Sequence, residues 1–245
     1  MTIARVDIHA HYGFWPYGPT DHGLSVLLDL VHGAQIDLCW LSSALAITVD
    51  MVRGNSDLFE AIEPHEELAG QVVINPHSVS GSIQEIKKYM EHPRFVGLKT
   101  HPHYCAEPCD SLRYHEIFQA YSDLSSKPIL VHSFCLEEAR CLIRLAKDFP
   151  QLRFIMAHMG GIEWKIAVDE ACDQENIYFE PCCSFPFADK VAYAVRRAGP
   201  ERFLLGTDLT LLDPWFSIGM IESAEIDSDT KQRIYSANAL QLLDY

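Results

Sequence analysis

The chain has 245 residues, with 19 lysines and arginines against 34 aspartates and glutamates, a formal charge of −15; 48% of residues are hydrophobic and 22% charged. That apolar share supports a packed core and excludes a disordered chain. The acidity excludes a nucleic-acid binder, which needs a basic face, and argues against adsorption to an anionic membrane. The length suits one α/β barrel, so residues 1–245 are read as a single domain.

Taken in chain order, short apolar runs alternate with longer amphipathic stretches. No basic region followed by an apolar run opens the sequence, and no run of about 18 apolar residues occurs, so neither a secretory signal nor a membrane span is expected. The first strand is placed at residues 6–9. A helix over 21–32 follows, with Leu24, Leu27, Leu28 and Val31 on one stripe. Strands come next at 36–41 and 71–75. Ser82, with Glu85 three residues on, reads as a capping box opening a helix over 83–90. A strand at 95–100 leads to a helix over 111–124. A strand at 129–132 leads to a helix over 135–149 that stops at Pro150. Strands at 154–158, 177–180 and 203–207 are interleaved with helices over 162–172, 188–198 and 214–223, and a terminal helix covers 230–243. Such short, β-branched and aromatic runs read as buried parallel strands. Eight of them, alternating with helices, favour a slightly distorted (β/α)8 TIM barrel over a doubly wound sheet, and no G-x-G-x-x-G follows the first strand. The eight cysteines form no paired C-x-x-C knuckle and read as reduced thiols of a cytoplasmic protein.

Polar residues gather where the apolar runs end. His9 and His11 are two apart and share one side of an extended strand. Lys99 and His101 end the fourth run, His132 the fifth, His158 the sixth and Asp208 the eighth. Barrel enzymes build their sites on this carboxyl-terminal face. Buried polar groups need partners, and a divalent metal supplies one for imidazoles and a carboxylate.

These residues resemble a family. Asp7-Ile8-His9-Ala10-His11, His132, His158-Met159-Gly160-Gly161 and Gly206-Thr207-Asp208 look like the amidohydrolase superfamily. More narrowly, they look like its amidohydrolase-related branch, which includes aminocarboxymuconate-semialdehyde decarboxylase-like enzymes. The ending Ser236-Ala237-Asn238-Ala239-Leu240 resembles that branch's asparagine-alanine terminal helix. The resemblance implies one zinc ion held by His9, His11, His132 and Asp208; manganese or iron could share these ligands. It implies a proton-shuttling or substrate-polarising role for His158, and a catalytic role for Asp208 as proton acceptor beside its role as ligand. Asp208 could otherwise cap the next helix, a task open to Thr210. Lys99 has two readings. It could be a cation that pairs with a substrate carboxylate or with Glu180, or a carboxylated lysine bridging a second metal, as elsewhere in the superfamily.

His101 and His103 could line the pocket from the strand-four loop, and Arg53, placed on the loop after strand two, is a candidate for a substrate carboxylate. Glu180 is a candidate acceptor behind a ligand, and Tyr12, Phe14, Trp15 and Tyr17 could wall the site. The leading expectation is metal-dependent hydrolysis of an amide, lactone or ester of a small molecule: the metal activates a water, Asp208 takes its proton and His158 assists. The alternative is a non-oxidative decarboxylase of a small aromatic or unsaturated acid. A catalytically silent binding barrel is the third reading. Barrels of this branch often pair, so the resemblance implies a homodimer.

Overall fold

The computed structural model describes residues 5–16, 23–182, 185 and 187–243. Tyr17 and the first residues of the helix expected over 21–32 lie outside them. Seven strands pair in parallel, each with the next: β1 (Val6–Tyr12), β2 (Leu38–Ser43), β3 (Leu68–Val73), β4 (Phe95–Thr100), β5 (Ile129–His132), β6 (Phe154–Ala157) and β7 (Ile177–Phe179). Around them run α1 (Leu24–Gly33), α2 (Ala44–Thr48), α3 (Met51–Ile62), α4 (Val79–Tyr89), α5 (Pro102–Cys105) and α6 (Leu112–Ser122). The second half adds α7 (Leu136–Asp148), α8 (Trp164–Ala171), α9 (Lys190–Ala198), α10 (Pro214–Ser223), α11 (Ser228–Gln232) and α12 (Asn238–Leu242).

The eighth run closes the ring without becoming a regular strand, which corrects the strand expected over 203–207. Leu204 N donates to Phe179 O and Ile8 N to Leu205 O, each at 2.9 Å, while Phe203 and Leu209 make single bridges to Phe179 and Ala10. Thr207 N and Asp208 N both donate to the one carbonyl of His9, at 3.3 and 2.7 Å. Asp208 has φ 62, which turns the chain out of the ladder at this point. The Asp7 carboxylate serves as a substitute partner, accepting from Thr207 N at 3.1 Å and Thr207 Oγ1 at 2.5 Å. The fold is a (β/α)8 TIM barrel with a distorted seam.

The core has two layers. Val6, Ile8, Trp40, Val96, Leu130, Ile155 and Leu204 fill the barrel, and Ala239 and Leu242 of α12 close its floor. Cys39, Leu41, Val72, Leu98, Val131 and Met156 pack outward in the cluster that contains Leu27, Leu58, Ile86, Phe118 and Leu142. Two bulges connect this core to the site. Pairing slips by one residue between Asp7 and Ala10 of β1, and by one residue at Val96 of β4. Val6 and Ile8 face inward while Ala10 packs outward, so the phase reverses and His9 and His11 turn inward. The same reversal between Val96 and Leu98 turns Lys99 inward. Side chains satisfy the backbone groups that the first bulge frees: His9 N donates to Asp7 Oδ1 at 3.1 Å, and Gln71 Nε2 donates to Ile8 O at 3.2 Å.

Local expectations differ from the structure elsewhere too. The third strand spans Leu68–Val73 rather than 71–75 and stops where the Asn55 side chain takes both backbone groups of Val73. Ser82 is no cap: its hydroxyl is buried against Asn75 N and O at 2.9 Å, and α4 begins three residues earlier. Arg53 lies on a helix, α3, not on a loop, because Asp50 caps a turn whose buried stripe of Met51, Asn55, Leu58 and Ile62 is interrupted by polar Asn55. The terminal helix is broken by a wider turn at Arg233–Ala237, after which Asn238 Nδ2 donates to Pro200 O and Phe203 O at 2.7 and 2.8 Å.

Candidate active site

β1 and the seam after Leu205 bring the first donors together. His9 Nε2, His11 Nε2 and Asp208 Oδ1 converge at the carboxyl end of the barrel, with His11 Nε2 3.0 Å and His9 Nε2 3.6 Å from Asp208 Oδ1. Each ring is oriented from behind. His9 Nδ1 donates to Glu180 Oε1 at 3.0 Å, and His11 Nδ1 lies 2.9 Å from Ser42 Oγ. That arrangement presents the Nε2 atoms forward, as metal-binding histidines require. Lys99 Nζ, fully buried, donates to His9 Nε2 at 2.8 Å, so this nitrogen carries a lone pair and already faces a cation. Two imidazoles and a carboxylate suit zinc, manganese or ferrous iron, and the geometry fits such an ion.

A second group of donors shares His9: His9, His158, Glu180 and Cys182. Here the donor atoms are already engaged with one another and with backbone. Glu180 Oε1 accepts from His158 N and Oε2 from Cys182 N, each at 2.8 Å, and the Cys182 thiol donates to Oε1 at 3.1 Å. Glu180 thus orients the metal side rather than competing with it. Gly206 is what allows this approach, since a Cβ there would lie 2.6 Å from Glu180 Oε2.

His158 stands on the turn that follows β6. Its φ is 63, and Met159, Gly160 and Gly161 continue in the left-handed region. A side chain at Gly161 would meet Phe134 O at 2.0 Å, which explains the glycine. His158 Nδ1 lies 3.0 Å from Cys182 O; a carbonyl only accepts, so Nδ1 carries the proton. In the neutral ring Nε2 then accepts from His132 Nδ1, 3.1 Å away, and leaves His132 Nε2 as a lone pair. His132 stands beside the His9, His11 and Asp208 group rather than within it. Its ring stacks on His101 at 3.7 Å between centroids.

Burial dominates the electrostatics. It holds His9, His11, His101 and His132 below the ordinary imidazole pKa, so they are neutral near pH 7. Lys99 is pushed down to about 8 by the same burial, opposed by Asp208. Asp7 is pushed up to about 7, although Thr207 and backbone hydrogen bonds favour its charge. Burial works against the Asp208 carboxylate too, yet the His11 hydrogen bond and the surrounding imidazoles hold it well below the carboxylate range.

The structure therefore brings His9, His11, Asp208, Lys99, His158, His132 and His101 to one place, with Glu180 behind His9. Arg53 is elsewhere: its side chain is 74% exposed and lies 3.6 Å from Asp57. His103 lies on α5, the short helix that replaces the expected strand-four loop, and is exposed beside Glu138 of α7. Of the aromatic run, Trp15 is buried edge-on to His11 at 4.8 Å, while Phe14 faces solvent. Tyr104 meets Trp15 at 6.0 Å and His101 at 4.8 Å. Sequence reading missed Ser42, Cys182 and the clasp of Asp7. Ser42 had a signal, a hydroxyl directly after an apolar run, whereas Cys182 follows Glu180 by two residues in a segment without periodicity.

A parallel barrel with imidazoles and a carboxylate converging at its carboxyl end has the architecture of a barrel enzyme. The chain belongs to the amidohydrolase family, whose pattern matches residues 6–245. No curated protein matches it. Among solved structures, 5-carboxyvanillate decarboxylase from Sphingomonas paucimobilis is similar at 15% identity and a TM-score of 0.80, over 99% of both chains. So is 2,6-dihydroxybenzoate decarboxylase from Rhizobium, at 15% identity and 0.80 over 98% of both. A dihydroxybenzoic acid decarboxylase from a Polaromonas species, with bound manganese and the inhibitor 2-nitroresorcinol, shows 15% identity and 0.81 over 98% of this chain and 97% of that one.

Proposed function

We propose that the protein is a metal-dependent, non-oxidative decarboxylase of a small aromatic or unsaturated acid. The observation that carries this is the aromatic wall of Trp15, Tyr104, His101 and His132 beside the buried cation of Lys99. A planar acid fits such a wall, and its carboxylate fits the ammonium. The solved structures of similar fold, described as aromatic-acid decarboxylases, support the same reading. Hydrolysis, the leading expectation from sequence, uses the same donors; the wall and these similarities move the weight to decarboxylation.

His9, His11 and Asp208 would hold the ion, and His132, through its Nε2 lone pair, would complete the set. When bound, the ion would hold a substrate oxygen and withdraw electron density from the ring. Trp15 and the stacked His101 and His132 exclude water from the substrate face. Lys99 orients the departing carboxylate. As the C–C bond breaks, its electron pair stays on carbon, CO₂ leaves, and the carbon takes one proton. His158 is the group placed for that proton: its Nδ1–H is fixed on the Cys182 carbonyl, so its Nε2 must take a proton from solvent and release His132 Nδ1 before passing it to carbon.

The test is a panel of ortho-hydroxybenzoates labelled with ¹³C at the carboxyl group, incubated with metal-loaded protein in D₂O. Release of labelled CO₂, with deuterium at the vacated carbon, is the expected result. Consumption of lactones or amides with no CO₂ from any acid would return the site to hydrolysis. Bound metal with neither reaction would favour the silent barrel.

A further inference from the structure

Lys190, the first residue of α9, is fully buried. Lysine is seldom found wholly inside a protein, because its ammonium must be satisfied there. Lys190 Nζ donates to Pro181 O at 2.9 Å and His158 O at 3.4 Å. These carbonyls belong to the segments that follow β7 and β6, the two that carry Cys182 and His158.

His158 needs such support. A non-glycine residue at φ 63 is uncommon, and here it begins four successive left-handed residues. Its backbone NH is taken by Glu180 Oε1 and its ring Nδ1 by Cys182 O. Lys190 takes its carbonyl. Backbone and ring are thus held from the β7 side at three points, and Nε2 is the ring atom left to meet His132 Nδ1 at 3.1 Å. A methionine would fill a similar space without a buried charge, and a buried charge is often no more stabilising than such a replacement. The cation therefore has its use in the geometry it enforces.

We propose that Lys190 is a positioning residue for His158: by tying the His158 and Pro181 carbonyls together, its ammonium holds the left-handed turn that aims His158 Nε2 at His132, on the substrate side of the ring. This rests on the proton-donor role given to His158 above.

The test compares wild type with Lys190→Met and Lys190→Gln, all metal-loaded and carrying ¹⁵N-labelled histidine, with His158→Gln to assign the ring signal. In Lys190→Met the expectation is unchanged metal content and cooperative melting, a shifted or exchange-broadened His158 Nδ1–H signal, and a kcat lowered about 10- to 100-fold with little change in KM. Lys190→Gln, whose amide still offers N–H donors to these carbonyls, should recover part of both. A folded Lys190→Met with the wild-type ring signal and kcat would overturn the proposal. So would a loss of melting temperature alone, or failure of both variants to fold, either of which assigns Lys190 to stability. The ring signal also separates the two ideas: if no acid is turned over, the decarboxylase reading fails, while a displaced His158 ring still supports Lys190 as its anchor.

Discussion

At the scale of single residues, the site sorts side chains by what they touch. His158 contacts no member of the His9, His11 and Asp208 donor set through Nε2, and faces His132 instead. His158→Gln should keep the bound metal and lose about 10²- to 10⁴-fold in kcat, the range for losing a general acid; metal content and single-turnover rates measured together check this. Arg53 is the opposite case. Exposed and beside Asp57, it should be replaceable by alanine with KM unchanged within about twofold, since an exposed pair contributes little. Residue types at strand ends made His9, His11, His132, His158 and Asp208 legible from sequence, because strand ends converge in any barrel. Ser42, Cys182 and Lys190 were not legible, because each acts through another residue's ring or carbonyl and leaves no motif of its own.

At the scale of elements, the barrel's rhythm was legible and its irregularities were not. Unbroken alternation from Val6 and Ile8 would have turned His9 and His11 outward. The β1 bulge, held by Asp7 and Gln71 side chains, reverses them. No pattern of apolar residues announces a bulge whose partners lie far along the chain. α3 was missed for a related reason, since buried Asn55 interrupts its apolar stripe while bonding Val73 and Glu85. The turn after β6 offers a direct test. Gly161→Ala places a Cβ against Phe134 O in left-handed backbone and should destabilise the fold by about 2 kcal/mol or more, read by chemical denaturation. The contact between α6 and α7 gives a pH signature. Burial opposes the charge of His115, but Asp148 Oδ2 at 2.9 Å and the Ser111 carbonyl hold its pKa above the ordinary value. A raised folded pKa stabilises fully below the unfolded value, and that stabilisation is lost as pH rises through the folded value. The melting-temperature gap between wild type and His115→Gln should therefore be present at pH 5 and vanish at pH 9, with a size of a few tenths of a kcal/mol at this partly exposed pair.

At the scale of the whole molecule, an acidic chain still presents positive charge at its candidate site because two of its lysines are inside. Lys99 and Lys190 are buried at or behind the site while the chain as a whole carries −15. Among the described residues no helix is long and apolar enough to cross a membrane. Because the donor set is assembled from β1 and the seam that closes the barrel, metal binding and barrel closure are coupled. Any ion that binds only the folded chain stabilises it by mass action. Chelation should lower the melting temperature and remove activity together, and returned manganese or zinc should restore both.

The most direct measurement is the metal content of the purified protein, taken beside that of Asp208→Asn and His11→Ala and joined to the mass of the peptide that carries Lys99. About one divalent ion per chain is expected in wild type, little in either variant, and an unmodified Lys99. No bound metal, or two ions with a carboxylated Lys99, would overturn the single-metal site.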